Sequence, residues 1–305
     1  MISVGICSWT EKSLMQSGEF YPEQARTAED RLRFYAGNFD TVEVDSSYYA
    51  IPAQNTVWLW TQRTPHDFTF HIKVYGGLTG HGVDPRTLPR EIRTALPSGE
   101  AEKGHIFIKE PDLIEALAAA FADALSPLRR SGKLGLLVFQ FPPWFHYSPA
   151  NLDRIHECKR HASGMPVAVE FRHGSWLTPK RADGVFRFLR EHGITYIAAD
   201  EPQYGSLATV PFLPEVTTDI AYFRFHGRNR ETWLKNGIET SLRYAYEYSE
   251  DELMEFRPAV VKADTTARKT YVMFNNCRRG YAVRNARRMK EMVQPSGDET
   301  AGVLP

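Results

Sequence analysis

Residues 41–48 read TVEVDSSY, and the fold turns on how their alternation is understood. Val42 and Val44 are apolar, whereas Glu43 and Asp45 are acids. Such alternation marks a strand with one buried face, and the simplest version turns the acids to water. If the valines instead pack against helices, the acids point into the middle of something the strand helps to enclose. Other segments repeat the pattern. In FHIKV, Phe70, Ile72 and Val74 oppose His71 and Lys73. In VEFR, Val169 and Phe171 oppose Glu170 and Arg172; in FRFH, Phe223 and Phe225 oppose Arg224 and His226. Gln140 falls opposite Phe139 and Phe141, and in AAD the residues Ala198 and Asp200 are read as sharing a face with the polar set.

The wider chain supplies eight such runs. SVGIC (3–7), TVEV (41–44), TFHIKV (69–74), GLLVFQF (135–141), PVAVEF (166–171), TYIAAD (195–200), AYFRFH (221–226) and TYVMFNN (270–276) read as strands. Amphipathic stretches separate most of them, among them SPANLDRIHECKRHA with Ser148 as N-cap, and SEDELMEFRPAVVKADTTA with an expected break at Pro258. Residues 76–110 form a long connection after the third strand, and residues 201–219 read as irregular. Strands alternating with helices imply a parallel sheet, and eight units imply an α/β fold, a (β/α)8 TIM-type barrel. The expected organisation is one domain over 1–293, with a disordered tail over 294–305. In a barrel the apolar faces meet the outer helices. The polar set then points to the axis at the carboxyl ends of the strands, where barrel active sites are built, so the acids of TVEVD are expected to face inward.

Composition narrows the function classes. Lys+Arg and Asp+Glu both number 37, which argues against bulk attraction to nucleic acid or to an anionic membrane. The three cysteines, Cys7, Cys158 and Cys277, have no CxxC spacing, so neither a disulfide framework nor a zinc ribbon is expected. No basic region precedes the apolar start MISVGICSW, and no apolar run approaches the ~20 residues of a membrane span. A cytoplasmic protein is expected.

The inward set, with neighbours, defines a candidate site at the barrel mouth. Glu43, Glu170 and His226 are candidate proton-transfer groups. Asp45, Lys73, Gln140, Arg172, Asp200, Arg224, Arg228, Asn275 and Asn276 are candidate substrate contacts, with the guanidinium groups suited to carboxylate or phosphate. Tyr48 and Tyr49 follow the second strand and would either wall a pocket or plug the loops, and His81 could be brought over the mouth. No cofactor is expected. The acids and histidines are also metal-ligand types, but the neighbouring cations would repel a divalent ion, and no HxH or HExxH spacing appears. A third reading takes RNRETWLK (228–235) and CRRGYAVRNARRMK (277–290), with nearby aromatic residues, as a surface for single-stranded nucleic acid. Against all three stands an internal ion-pair network that merely fills the barrel.

The chain also resembles a known family. GICSW, EFYP, TVEVDSSYYAIP, FHIK, FQFPP, VEFRHGSW, YFRFHGRN, YEYSEDEL and FNNCRRGYAVRNA, spread from residue 5 to 286, are similar to the motifs of the YecE-like family, domain of unknown function number 72. The resemblance implies a TIM-type barrel and supplies no activity. Many members carry Asn and Thr where this chain has Asp45 and Ser47. The family's barrel has been likened to that of endonuclease IV, which keeps a nucleic-acid-processing protein among the alternatives by fold analogy alone. The remaining readings are an enzyme for a small anionic substrate, phosphorylated or carboxylated, without an obligatory metal, and a ligand-binding protein without turnover.

Overall fold

The structure, a computed structural model, describes residues 1–294; the expected disordered tail, beyond its first residue, lies outside the described residues. Eight parallel strands close into a barrel in sequence order. They are β1 (Ile2–Cys7), β2 (Thr41–Val44), β3 (Thr69–Lys73), β4 (Leu134–Gln140), β5 (Val167–Glu170), β6 (Thr195–Asp200), β7 (Ile220–Phe225) and β8 (Lys269–Phe274). The helices are α1 (Lys12–Ser17), α2 (Ala28–Ala36), α3 (Gln54–Gln62), α4 (Arg90–Thr94), α5 (Pro111–Ala124), α6 (Ser126–Arg130), α7 (Pro149–His161), α8 (Ala182–Glu191), α9 (Thr240–Arg243), α10 (Glu250–Thr266) and α11 (Tyr281–Val293). Ser148 caps α7 as expected, accepting from the Asn151 N–H.

Two expectations are corrected. Helix α10 runs through Pro258 without a break. Pro258 is exposed, and so is Met254, whose carbonyl the proline leaves without its helical partner; on that face water can satisfy it. The sixth unit has no helix among the described residues, so the eight strands do not carry eight full strand–helix units. Part of the helix's covering role falls to Phe212, whose ring lies 6.3 and 6.2 Å from those of Phe223 and Phe225 and 5.2 Å from that of Phe256 on α10.

The barrel interior is layered. Low in it, the His71 ring packs edge-on against Tyr271 and Tyr222, at 4.2 and 4.9 Å, and His71 Nδ1 accepts from the Leu136 N–H. A Cβ on Gly135 of β4 would lie 2.6 Å from this ring, so glycine is what lets the imidazole fit. Burial pushes His71 down to about 3, keeping it neutral. His71 is therefore a packing residue beneath the mouth.

Candidate active site

Neighbouring residues in register on parallel strands point to the same side of the sheet. Cys7 is in register with Glu43, Glu43 with His71, Gln140 with Glu170, and Ala199 with Arg224. The acids of TVEVD thus face the axis, and Glu43 is completely buried.

The same register corrects the reading of β6. Asp200 aligns with Phe225, whose ring packs on Phe256 outside the barrel, so Asp200 points outward. The inward positions are Ile197, Ala199 and, just past the strand, Glu201. Two adjacent alanines carry no polarity contrast, which is why the parity of IAAD could not be read from sequence. Asp200 accepts from Tyr248 Oη at 2.6 Å and from Arg228 Nη2 at 3.1 Å. Arg228 in turn reaches Glu252 and Glu255, at 3.3 and 3.4 Å. Asn276 donates to the Tyr246 carbonyl and to Asn285 Oδ1 on α11, both at 2.8 Å. Asp200, Arg228 and Asn276, expected as substrate contacts, are committed to tying β6, α10 and α11 together.

A dense charged layer spans the axis. Arg224 is fully buried; its Nη1 pairs with Glu170, and its Nη2 donates to Glu43 Oε1 at 2.6 Å. Tyr222 Oη donates to the other Glu43 oxygen at 2.9 Å. Glu170 also pairs with Arg172 and lies 3.2 Å from His226 Nε2. Arg172 donates to Glu201 at 2.9 Å and to Gln140 Oε1 at 3.2 Å. Asn275 Nδ2 lies 2.9 Å from His226 Nδ1. Arg224, expected to hold a ligand anion, is sealed below the surface with its charge spent on two carboxylates. Glu201 and Tyr244 were missed from sequence: Glu201, directly after β6, because the alanines hide the strand's parity, and Tyr244 because a long connection from β7 carries it, in a direction no local spacing encodes.

The environments of the two central acids push their proton affinities apart. Burial raises Glu43 to about 7, with Arg224 opposing and Asp45 reinforcing the rise. Burial also works against the Glu170 carboxylate, yet Arg172, Arg224 and His226 hold it well below the usual range. Glu201 is raised to about 7 by burial against the pull of Arg172. His226 is lowered to about 3 by burial and by Arg172, so its imidazole is neutral. Carboxyl pairs split in this way serve as acid and base in many enzymes.

Above this layer the mouth opens. Lys73 Nζ lies 3.8 Å from Asp45 Oδ1 and 4.8 Å from the centre of the Tyr48 ring. Tyr48 meets Tyr49 at 5.0 Å and His81 at 5.2 Å, and His81 meets Trp144 at 5.7 Å. Across the opening, Trp233 contacts Tyr244 at 5.6 Å and lies 5.5 Å from the Arg172 guanidinium. Tyr49 and Trp144 are 62% and 59% exposed, an unusual display for large aromatic side chains. The loops after β2, β3, β4 and β7 thus build an aromatic rim over a polar floor.

The metal reading meets a specific obstacle. One ligand atom from each of Cys7, Glu43 and Asp45 lie within 4.8 Å of one another, the spacing a cation would need. Arg224 Nη2 already sits among them, 2.6 Å from Glu43 and 3.8 Å from both Cys7 Sγ and Asp45. A metal ion would have to displace a buried guanidinium that also pairs with Glu170.

Comparison with known proteins agrees with the architecture. The chain is 31% identical to the UPF0759 protein YunF of Bacillus subtilis over 309 residues, covering 100% of this chain and 98% of the relative. A DUF72 family protein of Thermotoga maritima superposes with a TM-score of 0.76 at 32% identity, covering 96% of this chain and 99% of that one. One from Enterococcus faecalis gives 0.78 at 29% identity, covering 98% and 97%. The family model described as "Protein of unknown function DUF72" matches residues 3–304, and with it the closed eight-stranded barrel and its inward acids take their place: the chain belongs to the DUF72 family.

Proposed function

We propose that the protein is an enzyme working at the C-terminal mouth of the barrel on a small anionic substrate, without an obligatory metal. The observation that carries this reading is that Lys73, Arg172, Gln140 and Asn275 turn inward beneath an aromatic rim on which Tyr49 and Trp144 are exposed, above two acids of opposed proton affinity. Lys73 anchors the anion, because its carboxylate partner among the described residues, Asp45, is a loose contact at 3.8 Å. Arg172 adds field from beneath, Gln140 and Asn275 orient the ligand, and the rim stacks on its ring or flat face. Glu43 is the proton store; Asp45 beside it connects it to the mouth. Glu170 and His226 fix the charge and geometry of the layer.

Competition sharpens the test. Asp45 is the carboxylate that Lys73 already faces, at 3.8 Å, so a ligand anion competes with Asp45 for Lys73. Lys73→Ala is expected to weaken binding of the responsive anion about tenfold, the order expected for one charge-assisted contact. Asp45→Asn is expected to tighten it severalfold. The measurement is thermal unfolding against phosphorylated metabolites and organic acids at low salt, followed by titration of any that shift the midpoint. A responsive anion whose affinity ignores both substitutions would sink the reading.

The nucleic-acid alternative draws on Tyr49 and Trp144, which could stack on bases. Half of the basic side chains of the run 277–290, however, are spent in ion pairs: Arg284 with Glu19 and Glu247, Arg288 with Glu250 and Glu291, and Lys290 with Asp40. Binding to single-stranded DNA that weakens steeply with salt would favour that alternative.

A further inference from the structure

The proton-handling acids of the charged layer leave one need unmet. Glu43, Glu170 and His226 are completely buried, so none of them touches a ligand seated at the mouth. A reaction there needs a proton acceptor at the level of the rim. His81 is the titratable side chain that the long connection after β3 carries to that level, between Tyr48 and Trp144.

The local bonding bears on which ring nitrogen is free. The hydroxyl of Thr79, buried beside it, lies 3.1 Å from the Gly76 carbonyl and 2.8 Å from His81 Nδ1, and its one proton serves only one of them. Given to the carbonyl, which also accepts the Thr79 N–H at 3.1 Å, it leaves Oγ1 to accept from Nδ1. In that arrangement, the one taken below, the proton of a neutral His81 lies on Nδ1 and Nε2 carries the lone pair. The His81 N–H also bonds the Gly76 carbonyl at 3.0 Å, which fixes the backbone. Gly76 packs so closely that a Cβ there would lie 3.2 Å from the Tyr48 ring, keeping the turn pressed on the rim.

We propose that His81, oriented by Thr79, is the site's substrate-facing proton acceptor, using Nε2 to take a proton from an anionic substrate anchored at Lys73. The inference rests on the mouth being the site. In the step, the substrate's X–H bond breaks, its electron pair stays on the substrate, and the proton forms an N–H bond at Nε2, giving imidazolium. Thr79 is a positioning residue that selects the tautomer. The groups facing His81 are Lys73 on β3, Arg172 beyond β5, Tyr48 beyond β2 and Trp144 beyond β4. Burial, with Lys73 and Arg172, lowers His81 to about 4, so the ring is unprotonated and able to accept throughout the neutral range. Arrival of an anion at Lys73 offsets that positive field and stabilises the imidazolium when it forms.

The test needs no knowledge of the substrate. The intact protein is treated with diethylpyrocarbonate, which acylates unprotonated imidazole, and modification at His81 is followed by peptide mass spectrometry from about pH 5 to 8. An added histidine peptide, with an ordinary pKa of about 6.5, should lose roughly 30-fold in reactivity at about pH 5. His81 should change by less than about twofold, while buried His71 and His226 stay unmodified. Long-range proton–nitrogen NMR should place the His81 proton on Nδ1 in the wild type, and Thr79→Val should mix the tautomers. An unreactive His81, a reactivity profile like that of the peptide, or a wild-type proton on Nε2 would each overturn the proposal. These outcomes are separate from the Lys73 and Asp45 titrations: anion binding that follows those substitutions with an unreactive His81 would refute the acceptor and leave the mouth as the site.

Discussion

Arg224→Ala is expected to cost the fold about 3–5 kcal/mol, the range for breaking one side of a buried ion pair. The residue looks from sequence like a ligand-binding arginine at a strand end, and removing such a residue would spare stability. Its surroundings say otherwise. Arg224 is fully buried, bridges Glu43 and Glu170, and lies 3.8 Å from Asp45. Without it, Glu170 keeps Arg172, but Glu43 loses the guanidinium it pairs with and must take up a proton or force the barrel top apart. The loss should therefore be smaller near pH 5 than near pH 8. A cost of this size would lower the unfolding midpoint by roughly 10 °C in a domain of this length. Arg228→Ala is the control: that side chain is 31% exposed and shared among Asp200, Glu252 and Glu255, so its removal should cost about 1 kcal/mol. Denaturant unfolding of both variants decides. If Arg224→Ala unfolds within about 1 kcal/mol of the wild type while anion binding disappears, Arg224 holds ligand and the layer is looser than described.

The strands and their inward acids were legible because apolar and polar residues alternate up to the strand ends, as in TVEVD, FHIKV and FRFH. Where contrast failed, so did the reading: IAAD gave no parity, and the inward acid proved to be Glu201, one residue past the strand. Pairing was not legible either. Arg172 and Arg224 look alike locally, yet one lies at the edge of the mouth against Trp233 and the other is sealed beneath it, a difference set by height in the closed barrel. The rim depends on loops that meet only after the barrel closes. Tyr48, His81, Trp144 and Trp233 come from four separate connections, and no spacing in the chain announces their contact.

Glu43→Gln is expected to gain on the wild type by up to about 3 kcal/mol as pH rises from about 4 to about 8. Glu43 is raised to about 7 in the fold, against about 4.3 for an ordinary glutamate. Between these values the folded protein binds a proton that the unfolded chain has released, so stability from this group falls as pH rises. The penalty is complete above about 7 and absent below the unfolded pKa. Glutamine mimics the protonated acid and carries no such penalty. Any fixed cost from its weaker bond to Tyr222 is the same at every pH and cancels in the slope. Glu201 has the same sign, but it is present in both proteins and also cancels. Glu170→Gln should behave in the opposite manner. Its carboxylate is held well below the usual range by two arginines and His226, so its contribution is present above about 4.3 and lost only as pH falls through the depressed folded value. That substitution should cost several kcal/mol at neutral pH, as for a broken buried pair, with no slope between about pH 5 and 8. Urea unfolding of the three proteins across this range separates the two acids. A flat difference between Glu43→Gln and the wild type would mean that Glu43 is ionised throughout, and Glu43 would then hold no proton for the mouth to draw on. A slope of the expected sign, with a flat Glu170→Gln, makes Glu43 the group that stores a proton at neutral pH and Glu170 the fixed charge that keeps both arginines in place.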